Sequence, residues 1–579
     1  MLTRRWCLFK LILCVVNVIL VARLMQSQTD LLAVTGASKI FSKARGSPLL
    51  LADFFPSGAT NRDEVGFQNE APEVEKLPVA RDVRAQEPWP DVERKAKPSE
   101  QLFETVHLMW CGKKILELRH YLSILSVFRV VQPLKIVMHY TDLPGTNMYH
   151  TWFTELVESL PILEMHQLPS GFSCESTNLL MTALHFLSQS GGVYIGENTI
   201  LTRYPEDPER SPLWSACSNS SYPAEYTVMF ARGALNTSEK ERYLKSVPSS
   251  EKTCSMADSN QPTPTQRPEC LTLDKTIFPR DFLNADTPFA EFARWLFYGR
   301  RAPNQVETEG APIPRISHYV RFKTLNRRYR DELTFQHFLS VLSALYIGGF
   351  EHVYVHGDAE PVGPLWEELL KENVTFVEVV APRTVYQREI RVTEHRSDVT
   401  RYLVLYKYGG AYQDWDVMWM QKVPESLLAN PAVICTDWNT RGWPDLFNNG
   451  VMLTRPRSHW LHHFLATHRN FRDGHWSYNS LMMSYRTMEL YPRTVYLDRR
   501  LQVICHQGQC HPTWLPGYAY GEGQLEPARV MREARAIHVT APKPPSSLAS
   551  LEATKGGQDL YASMAKFVLE RSGRKHMLD

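Results

Sequence analysis

The stretch Ser397–Val417, which reads SDVTRYLVLYKYGGAYQDWDV, contains the pattern that decides the fold. Ser397 and Asp398 are residue types that favour the N-cap of a helix, and apolar and aromatic residues then recur at helical spacing. Gly409 and Gly410 follow at the position where glycine commonly ends a helix. The residues after them favour a β-strand, so the stretch predicts a helix, a double-glycine turn and a strand.

Four charged residues of this stretch are the candidate chemical groups. Asp398 and Arg401 stand three residues apart, which places both on one face of the predicted helix. Asp414 and Asp416 stand two residues apart, so an extended backbone would turn both carboxylates to one side. Paired carboxylates at the edge of an α/β sheet suit Mg²⁺ or Mn²⁺. Because such ions usually also hold phosphates, the spacing favours a diphosphate ester as the substrate.

An internal repeat organises the rest of the chain. The segments RHYLSILSV (119–127), KIVMHYTD (135–142) and SGGVYIGENTI (190–200) recur as QHFLSVLSA (336–344), HVYVHGDA (352–359) and YGGAYQDWDVM (408–418). Each copy is expected to run as helix, strand, helix, strand, double glycine and a final strand, which is typical of α/β sheets with parallel strands. The sequence therefore predicts two tandem α/β domains.

The first copy keeps the apolar framework and lacks the charged groups. Aligned on the double glycine, the positions of Asp398, Arg401, Asp414 and Asp416 are occupied by Leu180, Ala183, Gly196 and Asn198. Glu197 remains, but a single carboxylate makes a poor site for a divalent ion. We therefore expect a non-catalytic first domain that binds acceptor, braces the second domain or forms a dimer interface.

The beginning of the chain predicts membrane attachment through a tether. Basic residues flank an apolar run at 6–23, which predicts a transmembrane signal anchor after a cytosolic tail of residues 1–5. A cleaved signal peptide and a buried helix are the alternatives, although no small-residue cleavage site follows the run. Residues 24–102 are rich in proline, serine and charge, as expected of a largely disordered stem.

The other boundaries follow from the repeat. We expect a degenerate domain at 103–300, a linker at 301–315, an active domain at 316–545 and a C-terminal tail or helix at 546–579. Glycosylation sequons at Asn219, Asn236 and Asn373 fit a chain that faces the secretory lumen.

Composition and cysteines limit the remaining possibilities. The formal net charge is +2, and no long basic run is interleaved with aromatic residues, so we expect no nucleic-acid partner. Of the ten cysteines, Cys7 and Cys14 lie in the predicted anchor. The other cysteines allow many disulfide pairings, and none is assigned. CHQGQC (505–510) fits a local disulfide or free thiols better than zinc, because a second ligand pair at standard spacing is missing.

The stretch Ser397–Val417 resembles the signature sDxxRyxxLyxyGGxYxDxD of the DXD-containing sugar transferases. This family includes certain mannosyltransferases, α-1,4-galactosyl- and α-1,4-N-acetylglucosaminyltransferases, and the large clostridial glucosylating toxins. The resemblance implies two GT-A-like domains, a nucleotide-diphospho-sugar donor, Mn²⁺ (or Mg²⁺) and retention of anomeric configuration. It also implies that Asp398 and Arg401 hold donor hydroxyls and the diphosphate, while Asp414 and Asp416 place and bind the metal ion.

Several residues outside the four acids and bases complete the candidate site. The candidates for donor or acceptor contacts are Tyr402, Trp415, Asp445 and Asn449. Such families often have a late histidine or asparagine near the metal ion, so the resemblance makes His538 a third candidate metal ligand. Family members often open with an H-x-I-W-x-G strand, which the first copy keeps as HLMWCGKK (107–114), whereas the second has HYVRFK (318–323). This departure leaves the nucleotide of the donor open.

We therefore expect a Golgi-type, single-pass type II membrane enzyme that transfers a hexosyl or N-acetylhexosaminyl group to a glycan acceptor in the lumen. A non-catalytic glycan-binding or scaffold protein derived from a transferase is the alternative. A DxD-type phosphatase is disfavoured, because Met418 stands where that motif needs threonine or valine.

Overall fold

The computed structural model describes residues 103–203, 213–215, 224, 227–239, 241, 254–256, 270–323, 332–437, 443–501, 503–504, 527–539 and 549–579. The predicted tail, anchor and stem, the sequon at Asn219 and the CHQGQC motif lie outside these ranges. Among the helices within them, none combines the length and the apolar character that a membrane crossing requires.

The first half of the described chain builds a six-stranded sheet and a separate three-stranded sheet. Its strands are β1 Thr105–Trp110, β2 Lys135–Tyr140, β3 Leu163–Gln167, β4 Gly192–Ile195, β5 Thr199–Leu201, β6 Leu213–Ser215, β7 Val228–Ala231, β8 Cys254–Met256 and β9 Cys270–Thr272. Its helices are α1 Leu118–Val131, α2 Trp152–Ser159, α3 Ser176–Ser190, α4 Pro279–Leu283 and α5 Pro288–Tyr298. The strand order is β3-β2-β1-β4-β7-β6, with β1 parallel to both neighbours, while β5, β9 and β8 form a separate small sheet.

The second half of the described chain builds a seven-stranded sheet, a three-stranded sheet and a two-stranded sheet. Its strands are β10 Ile316–Arg321, β11 His352–Gly357, β12 Val374–Glu378, β13 Thr384–Val385, β14 Arg388–Glu389, β15 Gly410–Gln413, β16 Val417–Trp419, β17 Ala432–Thr436, β18 Phe447–Thr454, β19 Tyr496–Leu497, β20 Val503–Ile504 and β21 Ala536–His538. Its helices are α6 Phe335–Ser343, α7 Pro364–Leu369, α8 Thr393–Tyr408, α9 Glu425–Leu428, α10 His459–Ala466, α11 Met483–Leu490, α12 Pro527–Glu533, α13 Leu551–Gly556 and α14 Leu560–Arg571. The strand order is β12-β11-β10-β15-β18-β17-β19, and β16, β21 and β20 form a smaller sheet.

The two large sheets have the same arrangement around their central strand. In each, the opening strand (β1 or β10) lies between the second strand (β2 or β11) and the strand that follows the double glycine (β4 or β15). The opening strands are almost continuously buried, as expected of parallel strands covered by helices on both faces. The α/β fold class with parallel strands is confirmed, whereas an origin by tandem duplication stays a prediction.

Serine residues of the repeated helix explain part of the shared sequence. Ser126 donates to the Ser123 carbonyl at 2.6 Å, and its Oγ accepts from the backbone N–H of Leu201 at 3.0 Å. Ser343 accepts in the same way from the backbone N–H of Trp419 at 2.9 Å. A small hydroxyl at this helix position therefore fixes the chain that follows the double glycine in both halves.

Buried histidine pairs also occur in both halves. Nδ1 of His107 lies 3.0 Å from Nε2 of His139, and Nδ1 of His318 lies 3.1 Å from Nε2 of His356. The Gly409 carbonyl, 3.0 Å from Nε2 of His318, can only accept, so that nitrogen bears the proton. Burial lowers the pKa of His318 to about 4. These imidazoles are thus neutral core groups that join adjacent strands.

A buried ionic cluster joins helices of the two halves. Arg486 on α11 lies 2.8 Å from the Glu155 carboxylate on α2 and 3.1 Å from that of Glu489. Its guanidinium stacks on the Trp152 ring at 3.7 Å, and the Tyr149 hydroxyl donates to Glu489 at 2.8 Å. Both carboxylates depend on one arginine for charge compensation, so the contact between the halves is specific.

The predicted linker and C-terminal segment pack on the second half. Within 301–315, the buried Ile313 donates its backbone N–H to the Leu428 carbonyl at 2.8 Å. The last long helix, α14, contributes buried residues to the hydrophobic core of the second sheet. Residues beyond 545 therefore contribute to that core.

Two of the sequons and one disulfide lie among the described residues, and glycosylation itself stays a prediction. Asn236 and Asn373 are exposed, as glycan acceptors must be. Cys111 and Cys174, which the sequence left unpaired, form a disulfide.

The start of the helix before the double glycine differs from the prediction. α8 begins at Thr393, so Ser397 and Asp398 lie inside the helix, and their prediction as N-cap residues is wrong. The Asp473 carboxylate accepts from the backbone N–H of Arg391 at 3.0 Å, just before the first turn, and lies 2.9 Å from Nδ1 of His395. A distant side chain therefore stabilises an earlier start than local propensity indicates.

Candidate active site

The double glycine connects α8 to the central strand beside it. Gly409 and Gly410 both adopt positive φ angles, of 67° and 90°. A Cβ on Gly410 would lie 2.6 Å from the carbonyl oxygen of Ile316 on β10. Glycine is therefore needed both for the backbone conformation and for the close approach of the neighbouring strand. The predicted helix end and following strand are confirmed.

The two aspartates after this strand lie in a turn. Asp414 and Asp416 fall between β15 and β16, and the backbone N–H of Val417 donates to the Asp414 carbonyl at 3.1 Å. The expected extended backbone is therefore wrong here. The chain changes sheets at this point, because β15 pairs with β18 whereas β16 pairs with β21. The turn still leaves both carboxylates on the same side, facing His538.

Strand pairing brings His538 to the aspartates. In the antiparallel pair of β16 and β21, Val417 lies opposite His538. Nε2 of His538 is 3.0 Å from Oδ1 of Asp416 and 3.8 Å from Oδ2 of Asp414. Burial alone would lower the pKa of His538, but the Asp416 and Asp414 carboxylates hold it above its usual range. The two carboxylates thus favour the protonated form of the imidazole.

These three side chains fit a divalent cation. One ligand atom from each of Asp414, Asp416 and His538 can be chosen so that all lie within 4.8 Å of one another. Two carboxylates and one imidazole suit Mn²⁺, and the carboxylates alone suit Mg²⁺. A Cβ on Gly450 would lie 2.5 Å from Cε1 of His538, so glycine at that position makes room for the imidazole.

Arg401 interacts with Asp398 and with the oxygen of Asp414 that does not face His538. Its guanidinium is 2.9 Å from Oδ1 of Asp398 and 3.4 Å from Oδ1 of Asp414, and it donates to the Asn449 carbonyl at 2.9 Å. Burial alone would lower the pKa of Arg401, but Tyr412 and the two aspartates raise it. Burial raises the pKa of Asp398, and the positive charge of Arg401 opposes that rise. The charge of this partly buried carboxylate therefore depends on its arginine.

Tyr412 is a site residue that the sequence analysis did not single out. Its hydroxyl donates to Oδ1 of Asp414 at 2.6 Å, and the guanidinium of Arg401 lies 4.2 Å from its ring centre. One oxygen of Asp414 is thus engaged by Tyr412 and Arg401, while the other faces His538. The tyrosine of the GGxYxDxD pattern was the signal that could have identified it.

Tyr402 and Asn449 lie behind Arg401 in the protein interior. Nδ2 of Asn449 donates to the Tyr402 hydroxyl at 2.9 Å and to the Ser480 carbonyl at 3.1 Å. Both side chains are buried, and the Asn449 backbone is the part that contacts Arg401. The structure brings both residues to the site as supports, and a direct contact with donor or acceptor stays a prediction.

The side chains of Trp415 and Asp445 contact other parts of the chain. Nε1 of Trp415 donates to the Val320 carbonyl at 2.9 Å, and its ring packs 4.6 Å from that of Tyr319. Asp445 accepts from the backbone N–H of Leu446 at 2.9 Å, and burial raises its pKa. Their predicted roles in ligand binding remain predictions.

A histidine–aspartate pair borders the site on the α8 side. His395 is 2% exposed, lies one helical turn before Asp398 and contacts Asp473 at 2.9 Å. The Trp476 ring, 62% exposed, lies 5.9 Å from the His395 ring. Sequence patterns do not predict this pair, because its two members come from separate segments of the chain.

Comparison with known proteins identifies the region that holds this site. Residues 352–434 match the family model described as the glycosyltransferase sugar-binding region containing a DXD motif. This segment is similar to the DXD-containing glycosyltransferases. It includes α8, the double glycine and the turn with Asp414 and Asp416, so the family resemblance of the sequence is confirmed.

One curated relative and several solved structures resemble the chain. "Glucan organizing enzyme 1" from Cryptococcus neoformans var. grubii is 25% identical over 219 residues, which cover 37% of this chain and 58% of that protein. The match therefore spans little more than half the length of the relative. The galactosyltransferase LgtC with donor and acceptor sugar analogs is 12% identical, with coverage of 45% and 95% and a TM-score of 0.26. The bifunctional glycosyltransferase WbbM is 8% identical, with coverage of 82% and 100% and a TM-score of 0.28. We draw no conclusion from structural likenesses this low.

Proposed function

We propose that the second half of this chain is a metal-dependent glycosyltransferase that moves a sugar from a nucleotide diphosphate to a glycan hydroxyl. The observation that supports it best is the meeting of Asp414, Asp416 and His538 next to Arg401, in a region that matches DXD glycosyltransferases. The three ligand candidates suit a hard divalent cation, and Arg401 adds a fixed positive charge. Both the cation and Arg401 would stabilise the negative charge of a departing diphosphate.

Asp414, Asp416 and His538 would hold the ion, for which Mn²⁺ is the first candidate and Mg²⁺ the second. When bound, the ion supplies Lewis-acid stabilisation of the negative charge on the diphosphate. Tyr412 engages one oxygen of Asp414 and so orients the other towards His538. The protein thereby fixes the direction of the ligand atoms before any ion arrives.

Arg401 is preorganised for the charge that develops during transfer. Asp398 and the Asn449 carbonyl hold its guanidinium in place, so little reorganisation is needed when the sugar–diphosphate bond breaks. As that bond breaks, the anomeric carbon bonds to the acceptor oxygen, and the acceptor proton passes to the departing diphosphate. Attack from the face that the diphosphate leaves retains the anomeric configuration.

The finer parts of the proposal rest on the sequence pattern. We assign a hexosyl or N-acetylhexosaminyl donor and a glycan acceptor, and the name of the glucan-organizing relative makes a glucan the first acceptor to test. The apolar run at 6–23 supports a type II Golgi membrane protein with its catalytic part in the lumen. A homodimer formed through the first half is part of the same proposal.

Donor hydrolysis by the full chain in detergent tests the proposal without knowledge of the acceptor. UDP-glucose, UDP-galactose, UDP-N-acetylglucosamine and GDP-mannose are each incubated with Mn²⁺, and the released nucleoside diphosphate is measured. We expect hydrolysis of one donor class, its loss in EDTA and its return with added Mn²⁺. Asp416→Asn should reduce turnover to background while the circular dichroism spectrum is unchanged.

Glu197→Gln is the matched control, because Glu197 lies in the equivalent turn of the first half. This variant should retain wild-type turnover. Wild-type turnover by Asp416→Asn would refute the metal-site assignment. A chain that is folded yet hydrolyses no donor would favour the non-catalytic glycan-binding alternative.

A further inference from the structure

The first half has a cleft of its own at the carboxyl edge of its sheet. The cleft has a volume of about 650 Å³. Gly112 follows β1, Thr141 and Asp142 follow β2, and residues 168–172 follow β3, and all of them line the cleft. Ligands of open α/β sheets bind at this edge, and the volume is in the range of small-molecule sites.

Covalent and hydrogen-bonded contacts hold the walls of this cleft. Cys174 at its rim is joined by a disulfide to Cys111, the residue directly after β1. The backbone N–H of Gly112 donates to Oγ1 of Thr141 at 2.9 Å, which ties the first wall to the second. A wall fixed in this way needs little ordering when a ligand binds.

In the first half, an ion pair forms at the position that is equivalent to the metal site. The Glu197 carboxylate lies 2.5 Å from Nζ of Lys114, which also lies over the Trp110 ring at 4.6 Å. Asn198 occupies the position of Asp416 and is buried. Among the described residues of the first half, no three metal-binding side chains come together. A ligand in this cleft would therefore bind without a metal ion.

The lining of the cleft favours a neutral, hydroxyl-rich ligand. Among the described residues that line it, Asp142 is the one charged side chain, so a polyanionic diphosphate would meet repulsion and no cation. Thr141, Gln167 and Ser170 offer hydroxyl and amide groups for hydrogen bonds. Phe172 adds an aromatic side chain, and the C–H faces of sugar rings pack on such side chains. A purely apolar ligand would leave these polar groups unpaired.

We propose that this cleft is a metal-independent binding site for a neutral saccharide, separate from the transferase centre. The first half then adds a second point of attachment for a glycan. Two linked sites raise the effective concentration of one chain at the other, which suits an enzyme that acts on an extended substrate. The binding itself does not depend on the catalytic proposal.

The test uses the full Asp416→Asn chain in EDTA, a background in which the transferase centre lacks both a ligand residue and metal. Neutral gluco-, manno- and galacto-oligosaccharides are screened by saturation-transfer NMR, with UDP and GDP as anionic probes. We expect at least one oligosaccharide to bind. Asp142→Ala and Phe172→Ala, added to this background, should each weaken binding about tenfold or more. Glu158→Ala, an exposed carboxylate of the same half, is the matched control and should leave binding unchanged.

The outcomes separate this site from the catalytic one. Absence of oligosaccharide binding, or binding that Asp142→Ala and Phe172→Ala leave intact, would overturn the proposal. Binding of UDP or GDP that Asp142→Ala changes would assign the cleft to a nucleotide instead. Asp142→Ala in the otherwise wild-type chain should leave donor hydrolysis unchanged. Donor hydrolysis therefore tests the catalytic proposal, and oligosaccharide binding tests this one.

Discussion

Replacement of Arg401 by methionine tests the electrostatic account of the site. Arg401 is 8% exposed and lies 2.9 Å from Asp398 and 3.4 Å from Asp414. Methionine fills much of the same volume and removes the charge. Asp398, whose side chain is 14% exposed, then lacks its cation, and Asp414 loses one of its two partners on that side. The variant is expected to lose both stability and donor hydrolysis.

The size of the stability loss follows from the protonation of Asp398. Removal of one member of a buried ion pair typically costs about 3–5 kcal/mol. Burial already raises the pKa of Asp398 above its ordinary value of 3.8. Without Arg401, the pKa of Asp398 can rise only to about neutrality before the carboxylate takes up a proton. At 1.36 kcal/mol per pKa unit, this rise from 3.8 limits the loss of stability to about 4 kcal/mol. Asp398→Asn in the same chain should recover about half of this loss or more, because an amide carries no charge.

Urea unfolding at neutral pH, followed by tryptophan fluorescence, measures this loss. Arg486→Met is the matched control, since Arg486 is also buried between two carboxylates but lies between the halves and outside the candidate site. We expect a similar stability loss in both variants, and a loss of donor hydrolysis under folding conditions only for Arg401→Met. Stability of Arg401→Met equal to that of the wild type, or no recovery with Asp398→Asn, would refute the account.

The double glycine and a buried histidine provide two further tests. Gly410→Ala, at a φ of 90° with a Cβ 2.6 Å from the Ile316 oxygen, should lower the free energy of unfolding by at least about 1–2 kcal/mol. Gly474→Ala, whose Cβ meets nothing within 4 Å, should cost far less, and equal losses would contradict the steric argument. His318 has a pKa of about 4 in the folded chain and 6.5 as its ordinary value, so stability should fall as pH drops through this window, by about 2 kcal/mol near pH 5. His318→Asn should show a shallower loss in urea titrations at successive pH values, and an unchanged slope would show that His318 does not contribute.

The repeat and the double glycine were predictable because they depend on local sequence and on backbone sterics. In both halves a helix runs directly into the double glycine and a strand follows it, as the local pattern predicts, whereas the expected order of helix, strand, helix and strand before the double glycine omits that last helix and is wrong there. Gly410 is required by one neighbouring carbonyl. Asp398 and Arg401 were placed on one helical face by their spacing, and the structure shows them in contact at 2.9 Å. The spacing of residues within one helix thus predicts which side chains contact each other.

The rest of the site depends on contacts between distant segments. Asp473 extends α8 beyond the start that Ser397 and Asp398 predict. The change from one sheet to another after β15 replaces an extended backbone with a turn. His538 was proposed only from the family pattern, since the sequence does not show that β21 pairs with β16. Such contacts are set by tertiary packing, which local propensity does not report.

The charged groups of the second half depend on one another, which accounts for their joint absence from the first. Asp414 is shared among Arg401, Tyr412 and His538, and Asp398 relies on Arg401 for its charge. Loss of any one member leaves a buried group without its partner, so partial sets are the least stable. In the first half, the positions of the four charged residues are occupied by Leu180, Ala183, Gly196 and Asn198, so all four charges are replaced together, while the position of Tyr412 keeps a tyrosine, Tyr194. The serine contacts of the repeated helix remain in both halves, because the strand after the double glycine needs them whether or not the acids are present. The framework is therefore maintained independently of the chemistry, and the double-variant cycle at Asp398 and Arg401 measures directly how strongly members of the set depend on each other.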